Sequence, residues 1–141
     1  MATRNDLCNC AAARRAARAL TRSYERHLAP AGLTSSQFSI LVVIEDLPGL
    51  GMRELADELV MDRTSLVRAL QPLQRDGLVA VAVSPHDARQ KVYVLTPAGH
   101  AKAAEASPLW QEAQREFTRR FGGEAAATEA REAFEKMSRF E

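Results

Sequence analysis

One stretch constrains the fold of this chain more than any other: "MDRTSLVRALQPLQRDGLV", residues 61–79, which carries both ends of a helix in its own chemistry. Asp62 is placed to cap the amides of Thr64 or Ser65, and Met61 with Leu66 has the spacing of a hydrophobic staple. At the other end Gly77 suits a left-handed stop, with Leu78 folding back on Leu73. Between those ends Leu66, Leu70 and Leu73 share one side, and Thr64, Arg68, Gln71 and Arg75 fall in a narrow sector opposite. The first side docks and the second is presented. Pro72 interrupts this regularity, because a proline cannot bond the carbonyl four residues back and costs about 3 kcal/mol or more inside a regular helix. A bend or loosened turn over residues 68–72 is expected, beyond the turns that present Thr64 and Ser65.

The flanking segments supply the context. A short helix over Met52 to Leu59, with Leu55, Ala56 and Leu59 inward, is followed by a turn at Val60 and Met61. After Gly77, "LVAVAV" (78–83) and "KVYVL" (91–95) are β-prone and joined by "SPHDARQ", which reads as a hairpin. Upstream, Asn5 or Asp6 can cap a helix running to about Leu28, with Cys10, Ala13, Ala17, Leu20, Tyr24 and Leu28 on one stripe and Arg14, Arg15, Arg18, Arg22 and Arg26 on its flank. Thr34 and Gln37 form a capping box for the next helix, through Phe38, Leu41, Val42 and Ile44, which Pro48 and Gly49 end. Thr96 with Pro97 starts a long helix through Leu109, Trp110, Ala113 and Phe117 to Phe121, kinked or split by Pro108. Gly122 and Gly123 separate it from a last helix with Ala126, Ala130, Phe134 and Met137 on one side. Trp110 and Phe117 are expected in the core.

Composition excludes several classes. A chain of 141 residues with 46% hydrophobic content is one domain's worth of sequence, able to bury a core without disulfides or metal. It has no eighteen-residue apolar run and no basic-then-apolar leader, so a cytoplasmic protein without a membrane partner is expected. Cys8 and Cys10 stand one residue apart with no second pair at zinc spacing, and His27, His86 and His100 fall in three separate elements, expected at the surface. No metal site, cofactor or paired acid and base is visible, so an enzyme is not expected. Net charge is only +1, but its distribution is uneven. Residues 45–62 hold six acids (Glu45, Asp46, Glu54, Asp57, Glu58, Asp62) against Arg53, whereas residues 63–91 hold five bases (Arg63, Arg68, Arg75, Arg89, Lys91) against Asp76 and Asp87. A local basic surface can meet an anion while the molecule stays nearly neutral.

A short helix, a tight turn, a capped helix with a hydrophilic outer stripe and then a hairpin is the order of a winged helix-turn-helix. Its second helix fits the major groove of double-stranded DNA. On that reading Arg68 is placed to donate two hydrogen bonds to a guanine edge, and Thr64 and Ser65 to meet phosphates or a thymine methyl. Arg63 and Gln71 complete the interface on the helix, Arg89 at the hairpin tip suits a narrow minor groove, and Lys91 suits a phosphate. The expected fold class is mainly α with a small β-hairpin wing: a winged helix-turn-helix over residues 34–96, flanked by helices over residues 5–29 and 97–141 of one domain.

The segments "MRELADEL", "VMDRTSLVRALQPLQRDGLV" and "DARQKVYVLTPAG", the last with an Asp-x-Arg wing tip at Asp87 and Arg89, resemble the MarR (multiple antibiotic resistance regulator) family across nearly the whole chain. That resemblance implies a homodimer whose first and last helices interlock, binding a short palindrome, usually as a repressor, and leaving it when a small, often phenolic, ligand binds or a cysteine is oxidised. The family's pockets lie between the dimer helices and the winged domain, which makes Tyr24 and Phe38 candidate lining residues. Cys10 is similar in position to the peroxide-sensing cysteine of the family's organic-hydroperoxide regulators, and Tyr24 to a tyrosine that hydrogen-bonds it, while Ser35 stands where those regulators carry a further tyrosine. On the residues alone Cys10 fits a small buried hydrophobe equally well. A helical interaction module that keeps the fold without binding DNA is the alternative of a different class.

Overall fold

The middle of the chain folds as its capping chemistry dictates. In the computed structural model, which describes Met1–Glu141, Thr34 Oγ1 accepts from the Gln37 amide at 3.1 Å while Gln37 Oε1 accepts from the Thr34 amide at 2.9 Å. This reciprocal box opens α2 (Ser35–Asp46), which follows α1 (Asn9–Leu28) after a single 3-10 turn, Ala29–Ala31. Then come α3 (Met52–Leu59), α4 (Arg63–Arg75), β1 (Val79–Val83), β2 (Lys91–Leu95), α5 (Pro97–Arg120) and α6 (Glu124–Ser138). The two strands form an antiparallel hairpin in register Val79 with Leu95 and Val83 with Lys91. Tyr93 N donates to the Leu50 carbonyl at 2.9 Å, which ties the hairpin to the segment entering α3. The sequence-based fold class, mainly α with a β-hairpin wing, is the fold observed.

One core holds these pieces together. Phe38, Ile40, Leu41 and Ile44 of α2 meet Leu55 of α3, Leu66, Leu70 and Leu73 of α4, Val79 of β1 and Ala106 of α5. The inner leucines of α4 are essentially solvent-free, so the periodicity that separates docking side from presented side is realised in three dimensions. The stop at the end of α4 follows the expected motif: Gly77 is left-handed at φ 72°, Leu78 N donates to the Leu73 carbonyl at 2.9 Å, and Gly77 N donates to the Gln74 carbonyl at 3.1 Å.

Several expectations are corrected. α1 starts at Asn9, because the Asp6 carboxylate is taken by the amide and hydroxyl of Thr3 at 2.9 and 2.8 Å and Cys8 occupies the capping position instead. Pro72 does not end the helix: α4 runs as one helix from Arg63 to Arg75. Pro108 likewise fails to split α5. In both places the residue that loses its bond, Arg68 or Ala104, is exposed, so water can solvate the freed carbonyl. No single helix is long and apolar enough to cross a membrane.

Candidate nucleic-acid interface

The capped start of α4 sets the first half of the site. Asp62 Oδ2 accepts from the Ser65 amide at 2.9 Å and Asp62 Oδ1 from the Ser65 hydroxyl at 2.6 Å. These two bonds, the hydroxyl's the larger influence, hold the Asp62 carboxyl below the usual aspartate range. They also engage the Ser65 donor, leaving that hydroxyl only its lone pairs toward a ligand. Arg63, Thr64, Arg68, Gln71 and Arg75 are all exposed, and apart from the contact of Arg75 Nε with Asp76 at 3.2 Å none of them forms an ion pair. A stripe of arginine and amide groups on a rigidly capped helix is thus held out to solvent, where it can meet phosphates and base edges.

The hairpin supplies the second half. The Asp87 carboxylate accepts from the Arg89 amide at 2.9 Å, and the Gln90 amide donates to the Asp87 carbonyl at 3.0 Å, closing a tight tip. Arg89 projects from it with 96% of its side chain exposed, its Nε 3.9 Å from Asp87 Oδ1. Lys91, at the base of the tip, is exposed and makes no ion pair. Cation and helix stripe are thereby carried on two elements of one core.

Tyr24 and Phe38 both line a cleft of about 640 Å³ between α2 and α5, with Trp110 tilted against Phe38 at a centroid distance of 6.2 Å. Tyr24 and Ser35 also border a smaller cavity of about 300 Å³ that contains Phe117, Gln114 and Arg131. Tyr24 Oη donates to Gln114 Oε1, and burial raises its phenol pKa despite the opposing influence of Arg131, so at neutral pH it is a neutral donor. The phenol therefore does not bond Cys10 of its own chain, which lies fourteen residues up the same helix, about 21 Å away along its axis. Cys8 and Cys10 are free and exposed, so in the single chain Cys10 is not the buried hydrophobe its stripe suggests; the sulfur of Cys8 accepts from the Ala11 amide at 3.5 Å.

Sequence reasoning missed four residues of this region. Trp110 and Phe117 are partly buried and border the cavities, Trp110 packing against the core from there, and Glu45 and Asp46 line the larger cleft. The packing of α5 against α2, α1 and α6 that forms these cavities is tertiary and leaves no local signal. His27 is more enclosed than expected: its side chain is 25% exposed and its ring bonds Glu116, whose side chain is 12% exposed. That contact and Arg26 at 3.7 Å bind α1 to α5; together with Arg120 of α5 at 3.2 Å they depress the Glu116 pKa, the His27 bond most.

Helix-turn-helix, exposed reading stripe and cationic wing define a winged-helix protein of the nucleic-acid-binding type. The family model described as "MarR family" matches residues 31–90. The transcriptional regulator HosA of Escherichia coli O111:H- is 30% identical over 92 residues, which cover 65% of this chain and 68% of HosA. The Mycobacterium tuberculosis transcriptional regulator MosR, solved in complex with DNA, is 40% identical over 93% of both chains, with a TM-score of 0.80. The transcriptional repressor CouR bound to p-coumaroyl-CoA is 25% identical, covering 100% of this chain and 99% of that one, with a TM-score of 0.85. The chain belongs to the MarR family of DNA-binding transcriptional regulators. It spans between 41% and 68% of the length of the curated relatives it matches.

Proposed function

We propose that the chain acts as a homodimeric repressor, bound to a palindromic operator through two copies of α4 and released by a small aromatic ligand. The observation that carries this reading is the exposed stripe of Arg63, Thr64, Arg68, Gln71 and Arg75 on a helix whose opposite face is solvent-free. Such a stripe has no structural role within the chain and fits a major groove. Arg68 reads a guanine edge, Thr64 and Gln71 meet neighbouring groups, Ser65 accepts rather than donates, Arg63 and Lys91 take phosphates, and Arg89 enters the minor groove. Similarity to MosR, solved with DNA, supports the DNA role, and similarity to CouR, solved with p-coumaroyl-CoA, supports an effector cleft that includes Tyr24 and Phe38.

The dimer rests on the chain ends. Leu7, Phe121, Phe134, Met137 and Phe140 are exposed on or beside α1 and α6, as is nearly all of the first half of α1. Interlocking with a second copy covers these surfaces, residues 5–29 and 97–141 then forming the pairing helices, and sets two α4 helices one turn of duplex apart. The test is a mobility shift on the promoter beside the protein's own gene with wild type, Arg68→Ala and Arg89→Ala. Steep loss of affinity with salt and strong weakening in both variants is expected. Unchanged binding in both removes the site assignment, and failure of a folded dimer to retain any duplex from a random library favours an interaction module instead.

Oxidation of Cys10 is the second route to release, favoured by the exposure of its thiol. Loss of the peroxide response in Cys10→Ser supports it, and an intact response rejects it.

A further inference from the structure

Asp62, the last acid of the segment 45–62, caps α4, whereas the first two, Glu45 and Asp46, lie outside α4 and the hairpin and border the larger cleft. Both lie in the last turn of α2. The carbonyl end of a helix carries partial negative charge, so carboxylates there are poorly placed for stability and reinforce one another's field. Asp46 forms no ion pair, and Glu45 has only His100 Nδ1 at 2.9 Å, an imidazole 56% exposed. No lysine, arginine or histidine lines the cleft. Apart from Ser35, Ser39, Ser107 and the two carboxylates its lining is apolar or aromatic, with Phe38, Trp110 and Tyr24 among it. Negative charge with aromatic faces in a concavity of about 640 Å³ attracts a cation that is itself largely hydrocarbon.

We propose that the cleft between α2 and α5 is a binding site for a hydrophobic aromatic cation, the charge held by Glu45 and Asp46 and the rings against Phe38 and Trp110. An aryl carboxylate is disfavoured there, because the same field repels it; the cation that such an anion needs, Arg131, sits in the smaller cavity on the other side of Tyr24 and Ser35. The inference specifies the effector of the release mechanism proposed above, and rests on that mechanism only for its consequence at DNA.

Trp110 is the only tryptophan in the chain, so its fluorescence reports occupancy of this cleft directly. Tetraphenylphosphonium and tetraphenylborate have nearly the same shape and opposite charge, and each is titrated into the full-length protein with calorimetry in parallel. The phosphonium is expected to give a saturable change in Trp110 emission and to bind at least about tenfold more tightly than the borate. The double variant Glu45→Gln with Asp46→Asn, both exposed and outside the core, is expected to lose about tenfold for the phosphonium and to narrow the gap between the probes. Borate binding as well as phosphonium, no saturable signal from either, or an unchanged phosphonium affinity in the double variant overturns the proposal. Release of operator DNA is scored separately: phosphonium that binds in the cleft yet leaves the DNA complex intact supports the site and rejects the release mechanism.

Discussion

The Thr96 hydroxyl donates to the Gly77 carbonyl at 2.6 Å and accepts from the Gly99 amide at 3.0 Å. One side chain therefore closes the end of α4 and caps the start of the long helix α5. The Thr96 amide adds a bond to the Leu78 carbonyl at 3.0 Å, and the backbones come so close that a β-carbon on Gly99 would stand 2.0 Å from the Leu78 oxygen. This junction fixes the direction in which α5 leaves the winged domain. Thr96→Ala is expected to cost roughly 1 kcal/mol in urea unfolding, as for other lost helix caps, with Thr96→Ser nearly silent. Gly99→Ala is expected to cost roughly 1–3 kcal/mol through overpacking against an immobile carbonyl. A Gly99→Ala protein as stable as wild type means that the junction is looser than this.

How much of this was legible in the sequence follows from where each determinant resides. The cap at Asp62, the box at Thr34 and Gln37, and the stop at Gly77 act within a few residues of chain, and each forms as its spacing predicts. Asp6 misled because its side chain had a competing local partner, Thr3, that satisfies it without a helix. Neither proline ends its helix, because helix propensity is a local preference, whereas Leu70 and Leu73 beside Pro72, and Ala106 beside Pro108, are pinned by the core. The cleft was hidden for a related reason. Phe38 and Trp110 are 72 positions apart, and only the packing of α5 across α2 brings their rings together.

Val60 bears a different strain. It is the only non-glycine residue with positive φ, at φ 52° and ψ 45°, and it turns the chain from α3 into α4 while Met61 N donates to the Ala56 carbonyl at 2.9 Å. A β-branched residue tolerates this left-handed conformation poorly, at a cost of about 1–2 kcal/mol. Its side chain is 60% exposed, so little packing is lost on removing it. Val60→Gly is expected to raise stability by about 1 kcal/mol, after allowing for the greater freedom of glycine in the unfolded chain. A lower urea midpoint in Val60→Gly contradicts the strain assignment.

The cap on α4 carries a pH signature. Bonds from the Ser65 hydroxyl and amide depress the Asp62 pKa in the folded protein, so folding is favoured while the carboxylate is charged. The contribution is complete above the ordinary aspartate pKa of about 3.9 and is lost as pH falls through the lower folded value. Asp62→Ala is therefore expected to lower the thermal midpoint at pH 7, with the difference from wild type shrinking below about pH 4. Asp62→Asn, which keeps an acceptor but no charge, falls between them. A constant difference between wild type and Asp62→Ala from pH 7 to pH 3 rules out the charged cap as its origin.

Phe134 and Met137 test the pairing of two chains apart from contact with DNA. Both are exposed on α6, 41% and 50% respectively, and neither lies on α4 or the wing. Replacing both with lysine places two desolvation-averse charges in the surface proposed to meet the second copy, and a monomer is expected by sedimentation with helical content retained. One α4 helix then has to hold the duplex alone, and operator affinity is expected to fall by about a hundredfold or more, the usual gain from linking two binding modules. Lysine is the informative choice because added positive charge strengthens attraction to phosphate, so weakened DNA binding cannot be ascribed to repulsion. A folded lysine variant that remains dimeric places the pairing surface elsewhere. A monomer that binds the operator as tightly as wild type shows that a single reading helix suffices, and the two-fold arrangement on a palindrome is then wrong.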